Sequence, residues 1–483
     1  MTISDPSRSP YALIRAPARG GLLPPATLPI ALALCLFGAA GPNFLLALVS
    51  VAVLIVGCLL LWRPGEPPIL LFTFAYPWLQ GSVAIFHANW LGLDVNDYAP
   101  YQGDMHNAIV MSLAGLLALA FGMRLGAGPR RMDYVHAMRE LALSQSINRW
   151  FQLYAVAWAV SFVALSCAWI MPGLSQPMMA VAGMRWVFFF MLGMTCFTQG
   201  KGFAGLFLAA FAVELAAGLG TYFADFKTVF VITFFAAVAS GSRVAPRALL
   251  GTGVLALLVV ALAIVWTAVK GEYRIFVSGG QEGQVVAVDF LSRLAKLYEL
   301  AVNLDAESLT SGVNQLLRRL TYVEFFAVVL TYVPTSIPHT FGAILWDAII
   351  RPFMPRLLFV DKDEIDDTAR TNLYTGGLAG SSEATSISLG YIAEAYIDFG
   401  SIAMFAALLG IGLFYGAIYR VLLRWRRSQG LLGMAIATAV LVSVGALENS
   451  FTKVFGGVIV SLAVATMMII FIIPHWAPWL VRR

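Results

Sequence analysis

The chain has 483 residues, 60% of them hydrophobic and 12% charged, with a formal net charge of +5. A soluble domain carries about 25% charged residues, so a soluble globular enzyme is excluded, and the many apolar runs near ~20 residues point to membrane-spanning helices. The alternating ~10-residue segments of a β-barrel are missing, and the basic balance comes from loop arginines, which imply no nucleic acid.

The N-terminus is polar and bears Arg8, Arg15 and Arg19. The apolar run behind it lacks a clear signal-peptidase site and reads as a retained span. About twelve spans are expected, at residues 24–41, 43–62, 67–87, 107–126, 150–171, 178–198, 202–219, 226–241, 248–269, 388–422, 430–449 and 453–473. The tenth is long enough to tilt or to begin above the membrane. The expected fold is an all-α polytopic membrane protein: an N-terminal bundle over 1–269, a long polar loop over 270–387 and a C-terminal bundle over 388–483. Cys35, Cys58, Cys167 and Cys196 all lie in spans, which leaves the loop without a disulfide framework. Basic residues crowd one set of connections, among them Arg63, Arg124, Arg139, Arg149, Lys201 and Arg424. The opposite short connections hold only Lys227 and Lys453. The positive-inside rule therefore places both termini in the cytoplasm and the long loop outside.

Ionisable residues in or beside the spans gather at the outer depth. They are Arg185, Glu214, Asp225, Lys227, Lys270, Glu272, Arg274, Glu394, Asp398, Glu448 and Lys453. Charges buried at one depth point to a polar cavity opening outward. The competing reading is snorkelling at the interface; it fits Lys227 and Lys453 better than Arg185, Glu214 and Glu394, which have apolar neighbours on both sides.

The long loop has readable parts. Residues 279–283 form a glycine-rich turn. Phe290, Leu294, Leu297, Ala301 and Leu304 recur at helical spacing, as in an amphipathic helix lying on the membrane or the bundle. Gln315, Arg319 and Tyr322 are expected on one helical face. The apolar stretches 325–333 and 341–350 are too short to span and suit interfacial helices. Pro334, Pro338, Pro352 and Pro355 punctuate the path, and Arg351 and Arg356 follow. Asp361 and Asp363 superficially match a metal-binding Asp-x-Asp pair, but nucleotide sugars are not expected outside, and the acidic run reads as a solvated loop. Gly376 to Ser382 offers a backbone nest or simply a mobile turn. No phosphate-binding Gly-x4-Gly-Lys loop, His-Glu-x-x-His or Cys/His cluster occurs, so neither a metal nor a cofactor is expected. Of the scattered histidines, only His339 sits between loop prolines. Outward arginines above buried carboxylates suit a lipid diphosphate that carries a glycan. Arginine stabilises the leaving group, and a carboxylate activates an acceptor hydroxyl.

From Arg318 to Gly400 the chain resembles the bacterial oligosaccharide repeat-unit polymerases, the O-antigen polymerase (Wzy-type) family. The shared order is Arg318-Arg319, then Pro334 to Pro338 with Gly342, Pro355-Arg356 and Lys362, Thr385-Ser386, and last Gly390-x-x-x-Glu394-x-Tyr396-x-x-Phe399-Gly400. Phe226-Lys227 resembles a basic residue at the same span edge in many relatives. The family's Trp-Pro-x-Lys-Pro after Pro-Arg is replaced here by residues 357–363 around Lys362. The resemblance implies a metal-independent, membrane-embedded glycosyltransferase of GT-C-like type in the bacterial inner membrane. It would transfer glycan from undecaprenyl diphosphate to an incoming lipid-linked repeat unit at the periplasmic face, building O-antigen, capsule or exopolysaccharide. Implied partners are the undecaprenyl-diphosphate-linked oligosaccharide, the lipid bilayer and a chain-length regulator. On this reading Glu394 is the base, and Arg356 with Arg319 or Arg318 holds the diphosphate. Tyr396 orients the base or the sugar, while Arg351, Lys362, Lys227 and Arg185 line the substrate. A lipid-glycan flippase or secondary transporter, and an O-antigen ligase, are the alternatives.

Overall fold

The computed structural model describes residues 21–129, 132–203, 205–219, 226–241, 246–279, 287–356, 358–359, 362, 365–380, 387–425 and 430–480. Expectations resting on Arg8, Arg15, Arg19, Asp225, residues 280–283, Asp361, Asp363, Ser381, Ser382, Thr385 and Ser386 lie outside them. Among the described residues every regular element is a helix. Each expected span falls on one. Seven helices are long and apolar enough to cross a membrane: Phe44–Leu61, Ile69–Leu91, Met105–Ala127, Ile147–Ala168, Ser175–Thr198, Tyr391–Arg424 and Phe451–Trp476. Thr27–Gly38, Gly205–Leu219, Lys227–Ser240 and Leu431–Val444 are apolar but shorter, at 10–17 residues. Pro246–Val277 runs for 32 residues and carries Lys270, Glu272 and Arg274 past the end of its expected span.

Met105–Ala127 packs along Tyr391–Arg424, and small residues let the two backbones meet. A Cβ on Gly122 would lie 2.1 Å from the Leu409 carbonyl oxygen, and one on Gly126 would lie 2.3 Å from that of Leu413. In return, a Cβ on Gly412 would meet the Leu119 oxygen at 2.1 Å and one on Gly416 the Met123 oxygen at 2.3 Å. These reciprocal Gly-x3-Gly pairs are the device by which helices approach in lipid, where burying apolar surface supplies no drive between them.

The long tenth segment is two helices rather than one tilted rod. Gly400 breaks it with φ 71° and ψ −174°, a conformation open to glycine and costly for other residues. Tyr391 to Phe399 is thus a short helix at one end of the bundle, and the remainder is the span. In the loop, helices run over Phe290–Val302, Ala306–Leu320, Val323–Tyr332, Ala343–Ile350 and Asp367–Thr375. Aspartates open three of them: the side chains of Asp289, Asp305 and Asp366 accept the N–H of Ser292, Ser308 and Ala369. Each satisfies an orphan donor of a first turn. The expected common face of Gln315, Arg319 and Tyr322 does not form. The Ala306–Leu320 helix ends at Thr321, so Tyr322 leaves that face and bonds the Ser388 carbonyl instead.

Candidate functional site

The short helix from Tyr391 to Phe399 fastens the loop to the bundle, one residue after another. Glu394 is fully buried. Its Oε1 accepts from Arg370 Nη1 at 3.0 Å, and its Oε2 accepts the Phe451 N–H at 2.5 Å. The Tyr396 hydroxyl donates to the Val333 carbonyl at 2.9 Å, so it does not orient Glu394. Residues two apart on a helix point to different faces. His339 Nδ1 lies 3.1 Å from the Ile397 carbonyl oxygen. Asp398 accepts from Thr340 Oγ1 at 2.5 Å, from the Ile344 N–H at 3.1 Å and from the Leu345 N–H at 2.8 Å. It is an anionic cap, brought from another element, for a helix whose own N-cap, Gly342, has no side chain.

Arg370 was not foreseen. Asp366 caps the Asp367–Thr375 helix, which buries Asp367, Thr371, Tyr374 and Thr375 and turns Arg370 to Glu394. Asp367 pairs with Lys453 at 2.7 Å and accepts from Ser450 at 3.4 Å. The readable signal was polar: Asp367, Thr371, Tyr374 and Thr375 recur at the spacing of one helical face. Expectations aimed at apolar periodicity passed over it, and Asp367 was absorbed into the acidic run. Lys453, for which snorkelling was a fair reading, is exposed and pairs with the buried Asp367 of this network.

A cationic tract adjoins this network. Lys227, Arg319 and Glu448 lie within electrostatic reach of Tyr76, and Gln80 holds Glu448 at 2.7 Å. Lys270, one residue past its expected span, senses Arg319 and Arg274. Burial first, and then these two guanidiniums, push its ammonium down to about 8. Among the described residues no carboxylate forms an ion pair with Lys270 or Arg319.

Arg318 faces another way, toward Glu324 and Tyr98. Glu324 is 7% exposed, and its Oε1 is buried without a hydrogen-bond partner. Burial raises its carboxyl to about 7, against the opposing pull of Arg318. The Tyr98 hydroxyl also sits 2.9 Å from His87 Nδ1.

Other expected residues stand apart. Arg185 is committed to Glu214 at 3.1 Å and to Ser161 at 2.9 Å, with the Tyr154 hydroxyl on the other Glu214 oxygen at 3.0 Å. This pair is neutral within its own helices. Lys362 donates to the carbonyls of Arg351 and Met354 at 2.7 and 2.8 Å, clamping the turn that carries Arg351 and Arg356. Burial, Arg351 and Arg356 all lower its pKa. Arg351 also meets Asp347 at 3.6 Å. Arg351, Arg356 and Lys362 therefore form one basic corner, and Lys227, Lys270, Arg274 and Arg319 form another. Among the described residues no group of three or more His, Cys, Asp or Glu is placed to hold a metal.

A family model, described as a domain of unknown function (DUF8712), matches residues 250–476. The match covers the loop and the C-terminal helices, and so includes Arg319, Glu324, Arg370 and Glu394. No curated protein and no solved structure matches the chain.

Proposed function

We propose that the chain polymerises lipid-linked oligosaccharide repeat units, as a GT-C-like glycosyltransferase with about twelve spans in a bacterial inner membrane and its loop on the periplasmic side. What supports the reading most is the tract of Lys227, Lys270, Arg274 and Arg319, where the positive charge on Lys270 and Arg319 lacks a paired carboxylate. Such a tract suits a diphosphate, whose charge grows as it leaves. In the transfer, the bond from the sugar's anomeric carbon to the undecaprenyl diphosphate breaks. The acceptor hydroxyl of the incoming unit forms the new bond, and its proton goes to a carboxylate.

Glu394 is the expected base, but both of its oxygens are occupied within the protein. Glu324 has an oxygen that accepts no hydrogen bond within the protein, and burial raises its carboxyl to about 7, as it also does for Glu394. We therefore assign the base to Glu324 and a docking role to Glu394. A lipid-linked repeat-unit assay on purified variants tests this. Arg319→Ala should slow polymer formation about 10²-fold, as loss of one stabilising donor does elsewhere, and Glu324→Gln should abolish its rise with pH. Full-length polymer at normal rate from folded Arg319→Ala and Glu324→Gln proteins would sink the proposal. Movement of labelled glycan across liposomes with unchanged chain length would identify a flippase instead.

A further inference from the structure

At the far end of the bundle, four guanidinium groups converge on Gly128. Arg63 Nη1 and Arg124 Nη1 both donate to its carbonyl oxygen, at 3.1 and 3.0 Å. A Cβ on Gly128 would lie 3.6 Å from Arg420 Nη1 and 3.8 Å from Arg424 Nη2. Arg420 and Arg424 come from the last turns of the long span, roughly twenty residues and about 30 Å past the Gly400 bend at the helical rise. Arg63, Arg420 and Arg424 line one cleft with Glu66, Pro129 and Tyr419.

Glu66 is the one carboxylate among the residues lining this cleft, and it is spoken for. It is 1% exposed, and its Oε2 takes Arg63 Nε at 2.6 Å and the Tyr419 hydroxyl at 2.6 Å. Arg63 itself is 9% exposed and lies over the Tyr419 ring. The cleft thus has a rigid floor, Arg63, Glu66 and Tyr419, and a rim of Arg420 and Arg424 that forms no ion pair among the described residues. Each guanidinium offers five N–H donors in a planar fork that matches phosphate. Arg124 lies in the last turn of the helix that Gly128 caps, where the helix dipole favours it; Arg63 reaches the same carbonyl from another segment.

We propose that the arginine rim of this cleft binds the phosphate of an anionic phospholipid headgroup. A phosphate oxyanion is the shared chemistry, and a lipid is the source we favour. The cleft lies at the end of a helix long enough to cross a membrane, where basic pockets between helices meet headgroups. Free phosphate has no comparable local concentration there.

The full chain in a mild detergent is delipidated and titrated with phosphatidylglycerol, with phosphatidylcholine or with inorganic phosphate. Bound lipid is read by native mass spectrometry and the thermal midpoint by tryptophan fluorescence. The expected result is retention of phosphatidylglycerol over phosphatidylcholine and a midpoint rise of several degrees. Both should weaken about tenfold in the double variant Arg420→Gln, Arg424→Gln. These rim residues lie outside the buried Arg63–Glu66–Tyr419 contacts, so the variant keeps its fold, checked by its elution volume and circular dichroism. An equal response to inorganic phosphate overturns the lipid assignment. An equal response of wild type and double variant to phosphatidylglycerol overturns the site.

Discussion

Glu324 and Glu394 are both buried carboxyls, and their surroundings give them different work. Glu394 is neutralised by Arg370 and a backbone donor; removing one partner of such a pair strands the other charge at a cost of about 3–5 kcal/mol. Arg370→Met should therefore lower the thermal midpoint more than the double variant Arg370→Met, Glu394→Met does. Equal losses would mean that the pair contributes nothing to docking the loop. Glu324 has no such partner on its Oε1. Its folded pKa of about 7 stands above the ordinary ~4.3 of an unfolded chain. Between these values the folded protein holds a proton that the unfolded one has released. Its contribution is complete below the unfolded pKa and is lost as pH rises through about 7, a difference of about 4 kcal/mol. Glu324→Gln removes this part of the dependence, and Glu394, whose carboxyl burial also raises to about 7, keeps its own. From pH 5.5 to 8.5 the variant's midpoint should fall less than the wild type's; parallel curves would rule out a raised Glu324 pKa.

At the scale of elements, the short helix between Gly390 and Gly400 is the hinge-pin of the loop. Asp398 caps the Ala343–Ile350 helix with two backbone bonds, and burying those donors unpaired costs about 1–3 kcal/mol each. Asp398→Ala should loosen that helix first, seen as faster amide exchange over residues 340–350 while the spans stay protected; unchanged exchange there would deny the cap its role. Much of this layout was readable. Apolar runs marked helices, seven of them long and apolar enough to cross a membrane, because hydropathy is a local property of the chain. The two carboxylates of the short helix were noticed for their cost in an apolar setting. Their partners were not readable, because Arg370 and Thr340 reach them across the fold and belong to no motif. The same distance effect hid the hydroxyl partner of Tyr396, the Val333 carbonyl. The Gly122/Gly126 and Gly412/Gly416 pairs stood in the sequence, but only the packing says that they face each other.

Across the whole molecule, charge divides by end. The network of Glu394, Arg370, Asp367 and Lys453 and the nearby cationic tract occupy one end, and the arginine cleft around Gly128 the other, with the Tyr391–Arg424 helix running between them. That division makes the positive-inside expectation testable as geometry. In a background with Cys35, Cys58, Cys167 and Cys196 replaced by alanine, single cysteines are placed at exposed positions. Glu307→Cys and Thr335→Cys report on the loop end, and Ser144→Cys and Lys201→Cys on the basic connections. An impermeant maleimide applied to intact spheroplasts should label the first two and reach the second two only after lysis, because moving a charged reagent through hydrocarbon is prohibitively slow. Labelling of Glu307→Cys alongside Ser144→Cys before lysis would place the loop and the basic connections on one side. That outcome would remove the outward-facing substrate from the proposed chemistry, and it would do so without any assay of activity.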